Sequence, residues 1–471
     1  MSDDWSYVRL KDYCTKIGSG STPRGGANVY LDSGNVCLIR SQNIYNDGFS
    51  ENGLVFISNS DAEKLNNVEI ELNDVLINIT GDSVARVCLA PKDKLPARVN
   101  QHVAIIRTVK NELDPKFVRY FLTDNNTQNH LLTLAGTGAT RNALTKGMLE
   151  EFLVPKPDIL IQKKISKILS DLDEKIHLNN QINQTLESIA QAIFKSWFID
   201  FDPVRAKIAA KQEGNDPELA AMCAISGKSV EELKQMSEDD FAELQATAAL
   251  FPDELVESEL GDVPKGWEVG CVEDIATAKG GYAFKGSQFV KKGYPVIKIK
   301  NITGDGEVDI QGTQCIEEKI ARTAAKFMLH DCDLVMAMTG ATVGKIGLVN
   351  THGKSIYLNQ RVAKFESEKF GGKISYFLFC LFNRKEYFEQ IVGTAQGSAQ
   401  PNISSSGIES TSIIVPNFEL INLFIKNTDS IFQYWLKNGS TNNFLNQIRD
   451  TLLPKLLSGE INVSNFQDEV A

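Results

Sequence analysis

The chain has 471 residues, 42% of them hydrophobic, which is enough apolar side chain for several packed cores and too much length for one ordinary domain. Its first residues, MSDDWSYVRLKDY, lack the basic start and apolar stretch of a signal peptide, and no apolar run reaches membrane-spanning length, so a soluble cytoplasmic protein is expected. The net charge of −11 is concentrated in one place: residues 203–262 carry 5 Lys/Arg against 14 Asp/Glu, while residues 1–155 stand at −2 and residues 263–416 at +3, so basic side chains in either large segment can still cluster on one face.

Residues 1–155 alternate short apolar runs, such as VCLIR and DVLINIT, with Gly, Asn and Asp clusters, the pattern of an α+β domain. From Gln162 to Trp197 neither Gly nor Pro occurs, and Ile165, Ile168, Leu172, Ile176, Ile182, Leu186, Ile189 and Ile193 recur mostly at helical spacing. At 1.5 Å per residue this predicts a helix of roughly 55 Å, longer than one domain needs. Asn179, Asn180, Asn183 and Gln184 crowd its middle, where polar residues either fix the register of a coiled coil or receive a different partner. Residues 203–262 read as short helices with an acidic solvated face. Residues 263–416 repeat the strand-and-turn texture, and Ile421–Leu457 is a second helical stretch, expected to be interrupted near Asn438-Gly439-Ser440. The eight cysteines form no C-x-x-C pair and are expected as reduced, mostly buried thiols.

The two large segments match each other at a nearly constant offset, the mark of an internal duplication. Gly18 pairs with Gly280 at 262, IRSQNIYNDG (39–48) with IKIKNITGDG (297–306) at 258, and DVLINITGDSVARV (74–87) with DLVMAMTGATVGKI (333–346) at 259. The run NQHVA (100–104) matches NQRVA (359–363), again at 259, and each half closes with a Gly-rich loop and an apolar run ending in Val-Pro. The fold class expected is α+β: two similar domains joined by two long antiparallel helices as a coiled-coil-like spacer, with pseudo-twofold symmetry. A spacer of fixed length suits a two-part target such as two half-sites on duplex DNA, and modules that differ at most positions imply unlike half-sites.

No catalytic set accompanies this layout. Gly340–Lys345 is one residue short of a phosphate loop, and Ile346 stands where Ser or Thr would bind magnesium. Asp173 and Lys175 lie two apart on the long helix, where they point to different sides, so they are expected as charges on its outside. No G-x-G-x-x-G after a strand, no H-E-x-x-H and no Asn-Pro-Pro-aromatic motif is present, and neither a metal site nor a bound cofactor is expected.

The chain resembles the specificity subunits of type I restriction-modification systems. The resemblance rests on FKSWFIDFDPVRAK (194–207), SELGDVPKGWEV (258–269), FVKKGYPVIKIKNI (289–302) and LLPKLLSGEI (452–461), and it covers essentially all 471 residues. It implies target-recognition domains at 1–155 and 263–416, spacer helices at 156–202 and 417–471 and a connector at 203–262. It also implies a non-catalytic DNA-binding subunit for a bipartite asymmetric site, which recruits two methyltransferase subunits and restriction (motor-nuclease) subunits. S-adenosylmethionine, ATP and Mg then belong to those partners. The alternative is a non-catalytic protein-binding scaffold with duplicated modules.

Base readout calls for Arg or Lys against guanine and Asn or Gln against adenine, with further polar groups on phosphate. Candidate DNA contacts in the first half are Arg24, Arg40, Gln42, Asn43, Thr80, Asp82, Ser83, Arg86, Thr140 and Arg141. In the second half they are Lys285, Lys298, Lys300, Asn301, Thr339, Thr342, Lys345, Gln396, Ser398 and Gln400. For Thr80-Gly81 and Thr339-Gly340 a purely structural turn is an equally open reading.

Overall fold

The computed structural model describes residues 5–136, 142–304, 306–394 and 402–463. It forms two compact units, Met1–His177 with Phe444–Ala471, and Leu178–Asn443.

In the first unit, an antiparallel sheet runs in the order Cys14–Ser19, Val103–Thr108, Val75–Asn78, Val87–Leu89. A second sheet has Val36–Ile39 between antiparallel Val55–Ile57 and parallel Ala97–Val99. The strand Val75–Asn78 is buried along its whole length because both its faces are covered. Alternate side chains enter different cores: Val75 and Ile77 pack with Leu10 and Val118, whereas Leu76 packs with Val99 and Ile105.

The second unit repeats this plan. Its first sheet runs Thr277–Gly280, Val362–Glu366, Leu334–Ala337, Ile346–Leu348, with Gly306–Glu307 added at the edge. Tyr294–Ile297 lies parallel to Ile356–Leu358 in the second sheet, as Val36–Ile39 does to Ala97–Val99. Leu334 and Met336 again enter one core while Val335 and Ala337 enter another.

Strand register corrects one sequence match. Ala104 faces Ser19, and its counterpart Ala363 faces Gly280, so Gly280 corresponds to Ser19 rather than to Gly18. The glycines that truly correspond are Gly20 and Gly281. A Cβ at either would stand 2.2 Å from a backbone carbonyl oxygen, of Val99 or Leu358, so no larger residue fits where the chain crosses between the sheets.

The long helices are Ile159–Phe198 and Phe418–Leu457, 40 residues each, or about 60 Å at the α-helical rise. The interruption expected at Asn438-Gly439-Ser440 is absent, and the second helix continues through it. Gly439 is there for room: a Cβ would lie 2.6 Å from Glu307 Oε2 and 3.0 Å from Asn350 Nδ2. Within the second unit the Asn-rich stretch becomes a ladder between antiparallel helices. Asn179 donates to Asn442 (2.8 Å), Asn442 to Asn180 (2.7 Å), and Asn438 to Asn183 (2.9 Å), while Asn183 also donates to the carbonyl of Trp435 (3.0 Å). Asn179 and Asn442 are buried, so their amides leave water only because each meets the other, and this pairing admits one register. Nearby, Phe194, Phe198, Phe377 and Phe424 pack edge to face in the core of this unit.

The first unit ties its helix ends differently. Ile165 and Leu169 pack with Phe117, Leu456 and Leu457. Asp173, expected as an outward charge, instead accepts from Arg119 (2.9 Å), Tyr120 (2.7 Å) and Arg449 (3.0 Å). Helical spacing kept Asp173 from converging with Lys175, but it does not say what packs on the helix.

The acidic connector is helical only in part. Helices Pro217–Ser226, Val230–Leu233 and Glu238–Ala249 enclose a small core of Ala221, Met222, Leu233 and Ala248 and carry side-chain caps from Asp216, Ser229 and Ser237, while the helix before them, Asp202–Glu213, sends Val204 into the main core of the second unit. Leu255–Ser258 and Gly261–Pro264 then form a hairpin, which corrects the expectation of helices as far as residue 262. All eight cysteines are free, and burial pushes the thiols of Cys14 and Cys88 up to about 12. No described helix is long and apolar enough to cross a membrane.

Candidate nucleic-acid interface

The matched motifs converge at one end of each domain. In the first unit they line a cleft of about 700 Å³ formed by Ser41, Gln42, Tyr45, Thr80, Gly81, Asp82, Ser83, Arg86, His102, Asn142 and Ala143. Its floor is the turn after Val75–Asn78. Gly81 adopts φ +79°, a left-handed conformation suited to glycine, and Gly340 repeats it at +81°. Thr80 bridges to Ala143, and Thr339 to Asn402. The Thr-Gly pairs therefore have a structural role in both halves, and the cleft puts Thr80 beside groups able to contact a ligand as well.

One wall is the hairpin Ile44–Tyr45/Gly48–Phe49, where the Arg86 guanidinium lies 4.7 Å over the ring of Tyr45. In the second half Lys345 lies back on the corresponding place and donates to the carbonyl of Thr303 (2.6 Å). Ser83 accepts from Asn78 (3.1 Å), and Thr342 donates to the carbonyl of Ile299 (3.2 Å). Asp82 is exposed at the rim.

The Asn100-Gln101-His102 loop reaches the cleft through His102. Asn100 accepts from the backbone N–H of His102 (3.1 Å), and His102 Nδ1 lies 2.6 Å from Thr80 Oγ1. Gln101 bonds Nε2 of His102 on one side (3.3 Å) and Thr22 on the other. An amide donating to Nε2 leaves Nδ1 to carry the proton toward Thr80. Sequence reasoning missed Gln101 and His102, although NQHVA against NQRVA already showed a shared frame around one changed residue.

Several expected contacts serve the loop itself. Asn43 is fully buried, accepting from Arg40 N–H (3.0 Å) and donating to the carbonyls of Ser50 (3.0 Å) and Asn52 (3.2 Å). Asn301 is likewise buried and accepts from Lys298 N–H (3.1 Å). Both are corrected here from base readers to loop braces, since their side chains face inward. Gln42 and Lys300 fold onto the corresponding turns, donating to the carbonyls of Gly53 (3.2 Å) and Gly312 (3.4 Å). Arg40 sits over Tyr30 and donates to Gly53. Lys298 lies 3.4 Å from the ring centre of Phe289, where burial first and the charge of Lys300 second lower its pKa. Arg24 and Lys285 are exposed on the corresponding loops. Thr140, Arg141, Gln396, Ser398 and Gln400 lie outside the described residues. No cluster of metal-ligating side chains occurs among the described residues.

The type I restriction modification DNA specificity domain matches this chain twice, over residues 2–188 and 264–447, one match for each half of the duplication. The chain belongs to that family. It is 32% identical over 474 residues to the type I restriction enzyme HindI specificity subunit of Haemophilus influenzae, covering 97% of this chain and all of the relative. It is 24% identical to the MjaIX specificity subunit of Methanocaldococcus jannaschii, over 98% of this chain and 95% of that one. Its fold is similar to the crystal structure of a type I restriction-modification S subunit from M. genitalium, with a TM-score of 0.55, 14% identity and 96% of each chain covered. As a specificity subunit of a type I system, the chain has two recognition domains of one fold, with the cleft motifs in corresponding places.

Proposed function

We propose that this specificity subunit reads a bipartite, asymmetric site in double-stranded DNA, one half-site per recognition domain, and recruits two methyltransferase subunits and motor-nuclease subunits through its long helices. It supplies no catalytic group itself. S-adenosylmethionine, ATP and Mg act on the partner subunits, and the complex works in the cytoplasm. The observation that carries the reading is the pair of matched frames: the Thr-Gly turn, the Asn-Gln loop and a basic residue after the turn, Arg86 or Lys345, recur in both domains, while the side chains around them differ. A scaffold kept constant while its presented groups diverge suits two domains that read different bases. Arg24, Gln42, Thr80, Asp82, Ser83 and Arg86 are the described contacts proposed for the first domain, and Lys285, Lys298, Lys300, Thr339, Thr342 and Lys345 for the second. Arg40 is assigned to loop support with a phosphate contact at most.

The test is binding of the full chain, with its methyltransferase subunits, to a pool of random duplexes over a range of salt. Affinity should fall steeply with salt, and the retained duplexes should share two unlike half-sites at fixed spacing. Binding without sequence preference at every salt concentration would refute the reading and favour a protein scaffold.

A further inference from the structure

The two Asn-Gln loops have the same backbone and present different side chains. His102 and Arg361 stand 259 residues apart, the offset of the surrounding strands. Asn359 accepts from the N–H of Arg361 (3.2 Å) as Asn100 does from that of His102 (3.1 Å). The carbonyl of Arg361 accepts from Met338 N–H (3.0 Å) as that of His102 does from Ile79 (2.9 Å). Both side chains therefore leave the same point of the fold, beside the same Thr-Gly turn.

Their surroundings then diverge. The His102 ring is held on both nitrogens, by Thr80 and Gln101. Arg361 is exposed, and its guanidinium has no hydrogen-bond or ion-pair partner among the described residues. The hydroxyl of Thr339, counterpart of the one that His102 engages, is buried and has no partner among the described residues. A planar fork of donors beside such a turn suits the paired acceptors O6 and N7 of guanine, whereas an imidazole with both nitrogens already engaged cannot make that bidentate contact.

We propose that Arg361 is a specificity-determining residue that fixes a guanine in the second half-site, and that His102 makes the corresponding position of the first half-site different. This rests on the DNA-reading function proposed above.

The experiment compares wild-type chain, Arg361→His, Arg361→Lys and His102→Arg, each assembled with the methyltransferase subunits, by sequencing duplexes selected from a random pool. Arg361→His should lower recovery of duplexes with guanine at one position of the second half-site roughly tenfold or more, leaving the first half-site unchanged. Arg361→Lys keeps the charge without the fork, so it should retain general affinity while relaxing the same position. His102→Arg should create a guanine preference in the first half-site. An unchanged motif in Arg361→His, or an equal loss on all sequences as a phosphate contact would give, overturns the proposal while leaving the DNA-reading function intact. A wild-type complex that selects no motif overturns both.

Discussion

Position 173 on the first long helix and position 432 on the second are counterparts at the 259-residue offset, yet one is Asp and the other Phe. Around Asp173 the first unit gathers Tyr120, Arg119 and Arg449, and Arg119 also donates to the carbonyl of Asn46 (2.6 Å). Around Phe432 the second unit gathers Tyr376, stacked at 4.3 Å between ring centres, and Phe379, edge-on at 5.9 Å. Tyr120 and Phe379 are themselves counterparts, so the hydroxyl that Tyr120 donates to Asp173 has no equivalent at Phe379. The same junction of domain and helix tolerates either chemistry provided the choice is complete: a charge requires all its partners, and a ring requires close neighbours.

Removing an anchor tests this difference most severely. Phe432→Ala should destabilise the second unit by about 3–5 kcal/mol through the cavity it leaves, read by denaturant unfolding. Asp173→Ala should cost the first unit about 3 kcal/mol, because Arg119, whose side chain is only 9% exposed, loses its counter-charge. A loss below about 1 kcal/mol for either variant would remove that anchor from the comparison.

A pH dependence distinguishes the units further. Burial raises the carboxyl of Glu307, beside Gly439 in the second unit, from 4.5 to about 7, and burial also pushes the imidazole of His352 beside it down. The folded state thus holds the Glu307 proton more tightly than the unfolded chain does. The resulting stabilisation is present below pH 4.5 and is lost as pH rises to about 7. Glu307→Gln should therefore stabilise the second unit at pH 8 by up to about 3 kcal/mol and by little below pH 4.5. Melting temperatures of both proteins across that range decide it, and a gain independent of pH would assign the effect to packing.

The smallest effect concerns the asparagine ladder. Asn442→Ala leaves the Asn179 amide buried without its partner and should cost about 1–2 kcal/mol, whereas the double change Asn179→Leu with Asn442→Leu should recover most of it. Thermal unfolding of the single and double variants measures this coupling, and simple additivity would deny the contact.

The duplication was legible in the sequence because strand spacing survives divergence: DVLINIT and DLVMAMT keep alternate side chains for two cores. The asparagines were legible as an anomaly, but their partners, some 260 residues away, were not. Asp173 was misread for the same reason, since periodicity places a residue on a helix face without saying what covers that face. Asn43 and Asn301 carried the residue type of a base reader, and only the folded loop shows their amides turned inward. The break expected at Asn438-Gly439-Ser440 failed because low helix propensity yields to tertiary contact, here the close approach of Glu307.

The asparagine ladder also bears on inheritance. Asn179 and Asn438 are counterparts in the duplication, as are Asn183 and Asn442, and each ladder bond joins one member from either half. These codons are not free to drift separately: a change in one copy of the repeat is felt by the other. A recombinant that takes its first half from one parent gene and its second from another inherits a working ladder only when both parents encode compatible residues there.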